Sequence, residues 1–163
     1  MIIERDGLMR VIKEINRRLS KKQVKGDIVV YNDTCLSFLQ KRQEPIDQLE
    51  VLYYPKEIID KMFTSEGHEE LFDSSIQNDI SKSERLILHT KLSSLRIHYQ
   101  SPEYILAMKI KRAKCADLKA IEWLVRTLRI ANVSQLESLL EEFYNLNQID
   151  DRMIDEVAIR FLR

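Results

Sequence analysis

The side chains best suited to chemistry in this sequence are three histidines, two cysteines and a basic run from Lys109 to Lys114. Histidine and cysteine ligate metal, or act as base and nucleophile, only when their spacing brings them together. His68, His89 and His98 follow no metal-ligand spacing, and His68-Glu69-Glu70 lacks the second histidine of a zinc-protease helix. They read as ordinary surface or strand histidines. Cys35 and Cys115 form no Cys-x-x-Cys pair and read as free thiols of a reducing compartment. No serine or cysteine has a partnering histidine in a recognisable arrangement. Lys109, Lys111, Arg112 and Lys114 make the best basic patch for a phosphate backbone. Glu103 and Asp117 flank it, and a solvated helix face is the competing reading. Trp123 and the pair Tyr53-Tyr54 read as core and interface aromatics rather than base-stacking platforms; if exposed, the tyrosines would suit a homodimer.

Composition bounds the class. Lys plus Arg number 26 and so do Asp plus Glu, so no global field draws the protein to nucleic acid or to an anionic membrane. A hydrophobic share of 44% and a charged share of 32% describe a soluble globular chain rather than a disordered one. Three glycines and three prolines in 163 residues argue against a turn-rich all-β sandwich or barrel. The N-terminus lacks the basic start and apolar run of a signal peptide, and no stretch approaches the ~20 apolar residues of a membrane span. A cytoplasmic, bacterial protein without membrane contact is the expectation.

The elements that must position any site follow from periodicity. Leu8, Val11, Ile12, Ile15 and Leu19 recur at helical spacing. Asp27 to Tyr31 is short, β-branched and aromatic, and predicts a strand. Asn32-Asp33-Thr34 is a turn that opens a short helix ending near Lys41-Arg42. Gln48 to Tyr54 reads as a second strand closed by Pro55, and Lys56 to Phe63 as a helix with Ile58, Ile59, Met62 and Phe63 on its apolar side. Thr64 to Ser83 reads as loop with a helical turn near Leu71. Leu86 to His89 and Leu95 to Tyr99 read as paired strands around a turn at Lys91 to Ser94. The remainder is helical. Ser101-Pro102 supplies an N-cap and a first-turn proline for a helix running to about Lys114. Asp117 opens the next helix, Ser134 to Glu137 fits a capping box, and Asp151 begins the last helix. The fold class is therefore α/β, divided as 1–100, an α/β core with a small mixed sheet, and 101–163, a helical region packed on it, the two expected to form one compact unit.

One arrangement is more than generic. A strand ends in Tyr31, a tight turn opens a helix, and a second strand carries an acid just before Val51-Leu52-Tyr53-Tyr54-Pro55. Later come Ser101-Pro102-Glu103-Tyr104-Ile105-Leu106-Ala107-Met108-Lys109 and Asp117-Leu118-Lys119-Ala120-Ile121. Over about Leu8 to Ile130 this resembles the small nucleotidyltransferase-fold proteins related to abortive-infection toxins of the AbiEii type. The resemblance implies a nucleotidyltransferase-type sheet and transfer of a nucleotide from a triphosphate. In that family a Gly-Gly turn lets backbone N–H groups approach phosphate, and Asp-x-Asp on the second strand aims two carboxylates at Mg²⁺. A lysine and an Asp-x-x-Asp-like element follow on the later helices.

Carried over residue by residue, the resemblance makes Asn32, Asp33 and Thr34 the nucleotide-binding turn, Glu50 the metal-binding acid, and Glu50, Lys109 and Asp117 the catalytic set. The departures fall on the chemistry. Asn32-Asp33 stands where Gly-Gly is expected, and a carboxylate ~4 Å from a phosphate charge is repelled by about 4 kcal/mol at an effective dielectric of ~20. Gln48, a poor Mg²⁺ ligand, stands at the first acid of the pair. Asp47, its neighbour, points to the opposite face unless a bulge intervenes. Ala120 stands at the second late acid, and no third metal-binding carboxylate is evident between Leu86 and Tyr99. Asp117 either orients Lys109 or caps its helix, and Lys109 either reaches phosphate or joins the solvated basic face. The expectation is a degenerate nucleotidyltransferase-like protein without cofactor, acting through a protein partner or as a homodimer in a toxin–antitoxin or defence setting. The alternative is an active enzyme using Mg²⁺ and a nucleoside triphosphate to modify protein or RNA. A plain nucleic-acid module using Lys109 to Lys114 is a third option.

Overall fold

The computed structural model describes residues 5–40, 50–65, 86–112 and 117–162. Cys115, Lys114, His68, Asp47 and Gln48, the end of the second helix at Lys41-Arg42, and the helical turn near Leu71 lie outside the described residues. The chain is α/β: a four-stranded mixed sheet with helices, and a C-terminal region that is helical. It divides into two compact units, the described residues up to Gln100 forming one and those from Ser101 the other.

In the first unit α1 spans Arg5–Lys21, β1 Gly26–Val30, α2 Asn32–Leu39, β2 Val51–Tyr54, α3 Lys56–Ser65, β3 Leu86–Lys91 and β4 Leu95–Gln100. The sheet order is β2-β1-β4-β3. β1 runs antiparallel to β2 and parallel to β4, while β3 and β4 form the expected antiparallel hairpin. Ile12, Ile15 and Leu19 of α1 are buried, as their spacing requires. Ile28 and Val30 of β1, Leu95, Ile97 and Tyr99 of β4, and Cys35, Leu36 and Phe38 of α2 join them in the core. Burying each such aliphatic side chain stabilises by about 1.5–3 kcal/mol.

Backbone geometry compensates for the shortage of glycine. α1 ends in a Schellman arrangement, with Val24 N–H donating to the Leu19 carbonyl, Gln23 N–H to Ser20, and Gln23 left-handed at φ 55°. One glycine is placed by close approach: a Cβ on Gly26 would sit 2.9 Å from Leu19 Cδ1 and 3.1 Å from the Tyr54 carbonyl oxygen. The β3–β4 register shifts between Leu88 and Thr90, leaving His89 as the extra residue of a bulge. Its ring stacks on Tyr99 at 4.3 Å between centroids.

In the second unit α4 spans Pro102–Arg112, α5 Leu118–Thr127, α6 Val133–Glu141 and α7 Asp151–Phe161, with one 3-10 turn at Leu146–Gln148. Ser101 caps α4, its Oγ accepting from Tyr104 N–H at 3.2 Å. α5 and α6 pack on α4, and α7 packs on α5. α6 starts earlier than the Ser134 to Glu137 pattern predicts. Asn132 is the cap, its Oδ1 accepting from Gln135 N–H, and Gln135 Oε1 reaches back to Ala131 N–H. The sequence offers two overlapping cap-x-x-Glu/Gln patterns, and the extended backbone at Asn132 selects the first.

Candidate functional site

The end of β1 is where the chain leaves the sheet for α2, and three strands supply side chains there. Tyr31 is extended, and Asn32 turns the chain at φ 44°, in the left-handed region that favours glycine and tolerates asparagine. Asn32 thus adopts a backbone that glycine would reach without strain. Its polar groups are engaged within the chain. Asn32 N–H donates to Gln100 Oε1 at 2.9 Å, from the end of β4. Asn32 Nδ2 donates to Glu50 Oε1 at 3.2 Å.

Glu50 immediately precedes β2 rather than lying within it, yet its main chain is fixed from both sides. Its carbonyl accepts from Tyr31 N–H at 2.9 Å, and its N–H donates to Thr34 Oγ1 at 3.0 Å. The carboxylate is half-buried, and Thr34 and Gln100 are buried. Asn32, Thr34, Glu50 and Gln100 therefore form one hydrogen-bonded knot at the end of the sheet. Asp33 is exposed, and its carbonyl accepts from Ser37 Oγ within α2. Sequence reasoning missed Gln100; its signal is a polar residue ending a strand whose alternate positions Leu95, Ile97 and Tyr99 are apolar.

Beneath the knot, Cys35 Sγ points at the Gln100 carbonyl, 3.6 Å away. Burial pushes its thiol up to about 12, with the Gln100 carbonyl hydrogen bond pulling weakly the other way. A thiol so placed is not a nucleophile.

Lys109 and Asp117 belong to the second unit. Residues Ile105 to Ile110 of α4 are all buried, so that stretch is covered around its whole circumference, Lys109 included. Lys109 is 3% exposed, and Lys111 and Arg112 are exposed. This corrects the solvated-face reading for Lys109. A buried ammonium requires an anionic partner, and Lys109 Nζ sits 2.6 Å from Asp117 Oδ1. Asp117 occupies the cap position of α5 but makes no side-chain capping bond there. Of its two sequence readings, the pairing with Lys109 is the one realised, because a buried cation outbids a cap worth ~1 kcal/mol.

The histidines go to local structure. His98 Nε2 lies 2.9 Å from Asp27 Oδ1, and Arg96 grips the same carboxylate through Nε at 2.7 Å and Nη2 at 2.8 Å. Burial pushes the Asp27 carboxyl up, but the Arg96 and His98 contacts outweigh it and hold the group below its usual value.

The donor set implied for Mg²⁺ does not assemble among the described residues: no three His, Cys, Asp or Glu side chains there are grouped to hold an ion. Glu50 contributes one carboxylate, with one oxygen engaged by Asn32. No helix among the described residues is long and apolar enough to cross a membrane. Compared as a whole, the chain matches no protein-family model, no curated protein and no solved structure.

Proposed function

We propose that the protein is a degenerate nucleotidyltransferase-like scaffold that acts by binding a protein partner, in a toxin–antitoxin or defence setting, and not by metal-dependent catalysis. The observation that carries this reading is the knot at the end of β1. In the resembled chemistry the turn offers its backbone N–H to phosphate and the strand offers carboxylates to Mg²⁺. Here the Asn32 N–H is already satisfied by the buried Gln100, and the Asn32 amide holds the Glu50 carboxylate. Phosphate would have to displace a satisfied internal hydrogen bond, which leaves Gln100 Oε1 buried without that partner at a cost of about 1–3 kcal/mol.

The second reading, an active enzyme, draws on the Lys109–Asp117 pair, which holds an ammonium in one place.

Calorimetric titration of each nucleoside triphosphate, with Mg²⁺ and with Mn²⁺, separates the two. The scaffold reading predicts no metal-dependent binding by a folded protein. Metal-dependent micromolar binding that Glu50→Ala abolishes would establish the enzyme reading instead.

A further inference from the structure

At the opposite end of the sheet from the knot, four side chains stand in one row. Tyr54 of β2 is the register partner of Asp27 in β1, Asp27 of Arg96 in β4, and Arg96 of Lys91 in β3. Register partners share a face, so Tyr54, Asp27, Arg96 and Lys91 cross the sheet on one side over three strand spacings, about 14 Å. Tyr54 is 72% exposed, although an aromatic ring of that size is ordinarily covered. Arg96 is clamped on two nitrogens by Asp27, which lies between it and the tyrosine in the row.

The basic end of the row opens onto a cavity of about 240 Å³ whose walls include Lys25, Lys91, Ser93, Ser94 and Arg96. The cavity is built by two loops tied together. Asn16 and Ser20 of α1 bond Ser93 and Ser94 of the β3–β4 turn, and Lys25 Nζ donates to the Ser93 carbonyl. Among the described residues, Lys25, Lys91 and Arg96 line this cavity, and of the three only Arg96 is paired with an acid, Asp27.

We infer that this row binds single-stranded nucleic acid, with a base stacked on Tyr54 and phosphates on Lys91 and Lys25. An exposed aromatic and cations on one face are the combination by which single strands are held without sequence preference. A lipid surface is the outcome the test must separate, because Ile87 and Leu88 of β3 are also exposed. The basic site therefore lies on the first unit, and not at the run beginning with Lys109. This inference does not rest on the proposed scaffold role.

The test uses the full chain and labelled single strands of about 12 nucleotides, of RNA and of DNA, followed by fluorescence anisotropy between about 50 and 200 mM salt. Saturable binding of either strand supports the inference, and the tighter one names the source. Tyr54→Ala weakens binding roughly 5- to 100-fold and leaves the salt slope unchanged. Lys25→Ala with Lys91→Ala lowers the magnitude of the log–log salt slope by about 1.4, two contacts at ~0.7 each. All three positions are solvent-facing, and circular dichroism confirms that the variants fold. The inference is overturned by absence of saturable binding, by variants that bind like the parent, by preference for phosphatidylserine vesicles over oligonucleotide, or by a homodimer that Tyr54→Ala dissolves.

Discussion

Replacing Asp117 by alanine removes the carboxylate that sits 2.6 Å from the buried Lys109 ammonium. Lys109 is only 4% exposed in its side chain, whereas Asp117 keeps 17%, so the two halves of the pair are not equivalent. Removing one member of a buried pair costs about 3–5 kcal/mol when the remaining charge stays uncompensated. For Asp117→Ala the cost falls to about 1–3 kcal/mol, because Lys109 has a further partner. The penalty applies much less to Lys109→Met, which fills the same apolar surroundings and leaves a carboxylate that reaches water. A unit of about sixty residues has a total stability of roughly 3–9 kcal/mol. Asp117→Ala should therefore remove a substantial part of it. Lys109→Met should cost under about 1.5 kcal/mol, and the double variant should lie close to Lys109→Met rather than to the sum. Trp123 is the single tryptophan and lies on α5, so its fluorescence reports this unit. In urea, with a slope of about 1–3 kcal/mol per molar, Asp117→Ala lowers the midpoint by roughly 0.3–3 M. Equal losses for the two single variants, or a loss below about 1 kcal/mol for Asp117→Ala, would refute the claim that the pair is buried and asymmetric.

Three further outcomes follow from particular backbone and charge features. Asn32→Ala places a Cβ-bearing residue without a polar side chain at φ 44° and removes the bond to Glu50, costing about 2 kcal/mol; Asn32→Gly loses the same bond but relieves the strain, and should cost less than half as much in urea denaturation. Arg129 closes α5 at φ 55°, with Ile130 N–H donating to the Val125 carbonyl, so Arg129→Gly should raise stability by about 1 kcal/mol by thermal denaturation. Asp27 has a folded pKa below its unfolded one, so its contribution is present above the unfolded value near 4 and is lost as pH falls through the folded value. Asp27→Asn should therefore flatten part of the acid limb of a stability–pH curve, and an unchanged limb would contradict the Arg96 clamp.

How far the sequence is legible depends on what decides each feature. Strands β1, β3 and β4 and the helices α1, α4 and α7 are set by local pattern, and periodicity places them within a few residues. The mixed order β2-β1-β4-β3 is a choice among pairings that no local pattern makes. Lys109 illustrates the limit at the site. Its basic neighbours Lys111 and Arg112 make it read as part of a solvated face, yet burial is decided by what surrounds the helix. Asp117 is equally suited to a cap or an ion pair, and only the position of Lys109 settles which it makes. The turn at Asn32 is legible from Asn-Asp following a short β-branched strand. That Gln100 would occupy its N–H is not legible, because the partner lies 68 positions away.

The central claim, a retained scaffold whose phosphate-facing turn is satisfied from within, meets its most direct test in titration calorimetry with nucleoside triphosphates and Mg²⁺ or Mn²⁺. The account predicts no metal-dependent heat from the folded chain, and no gain on Glu50→Ala. Micromolar, metal-dependent binding that disappears in Glu50→Ala would contradict it.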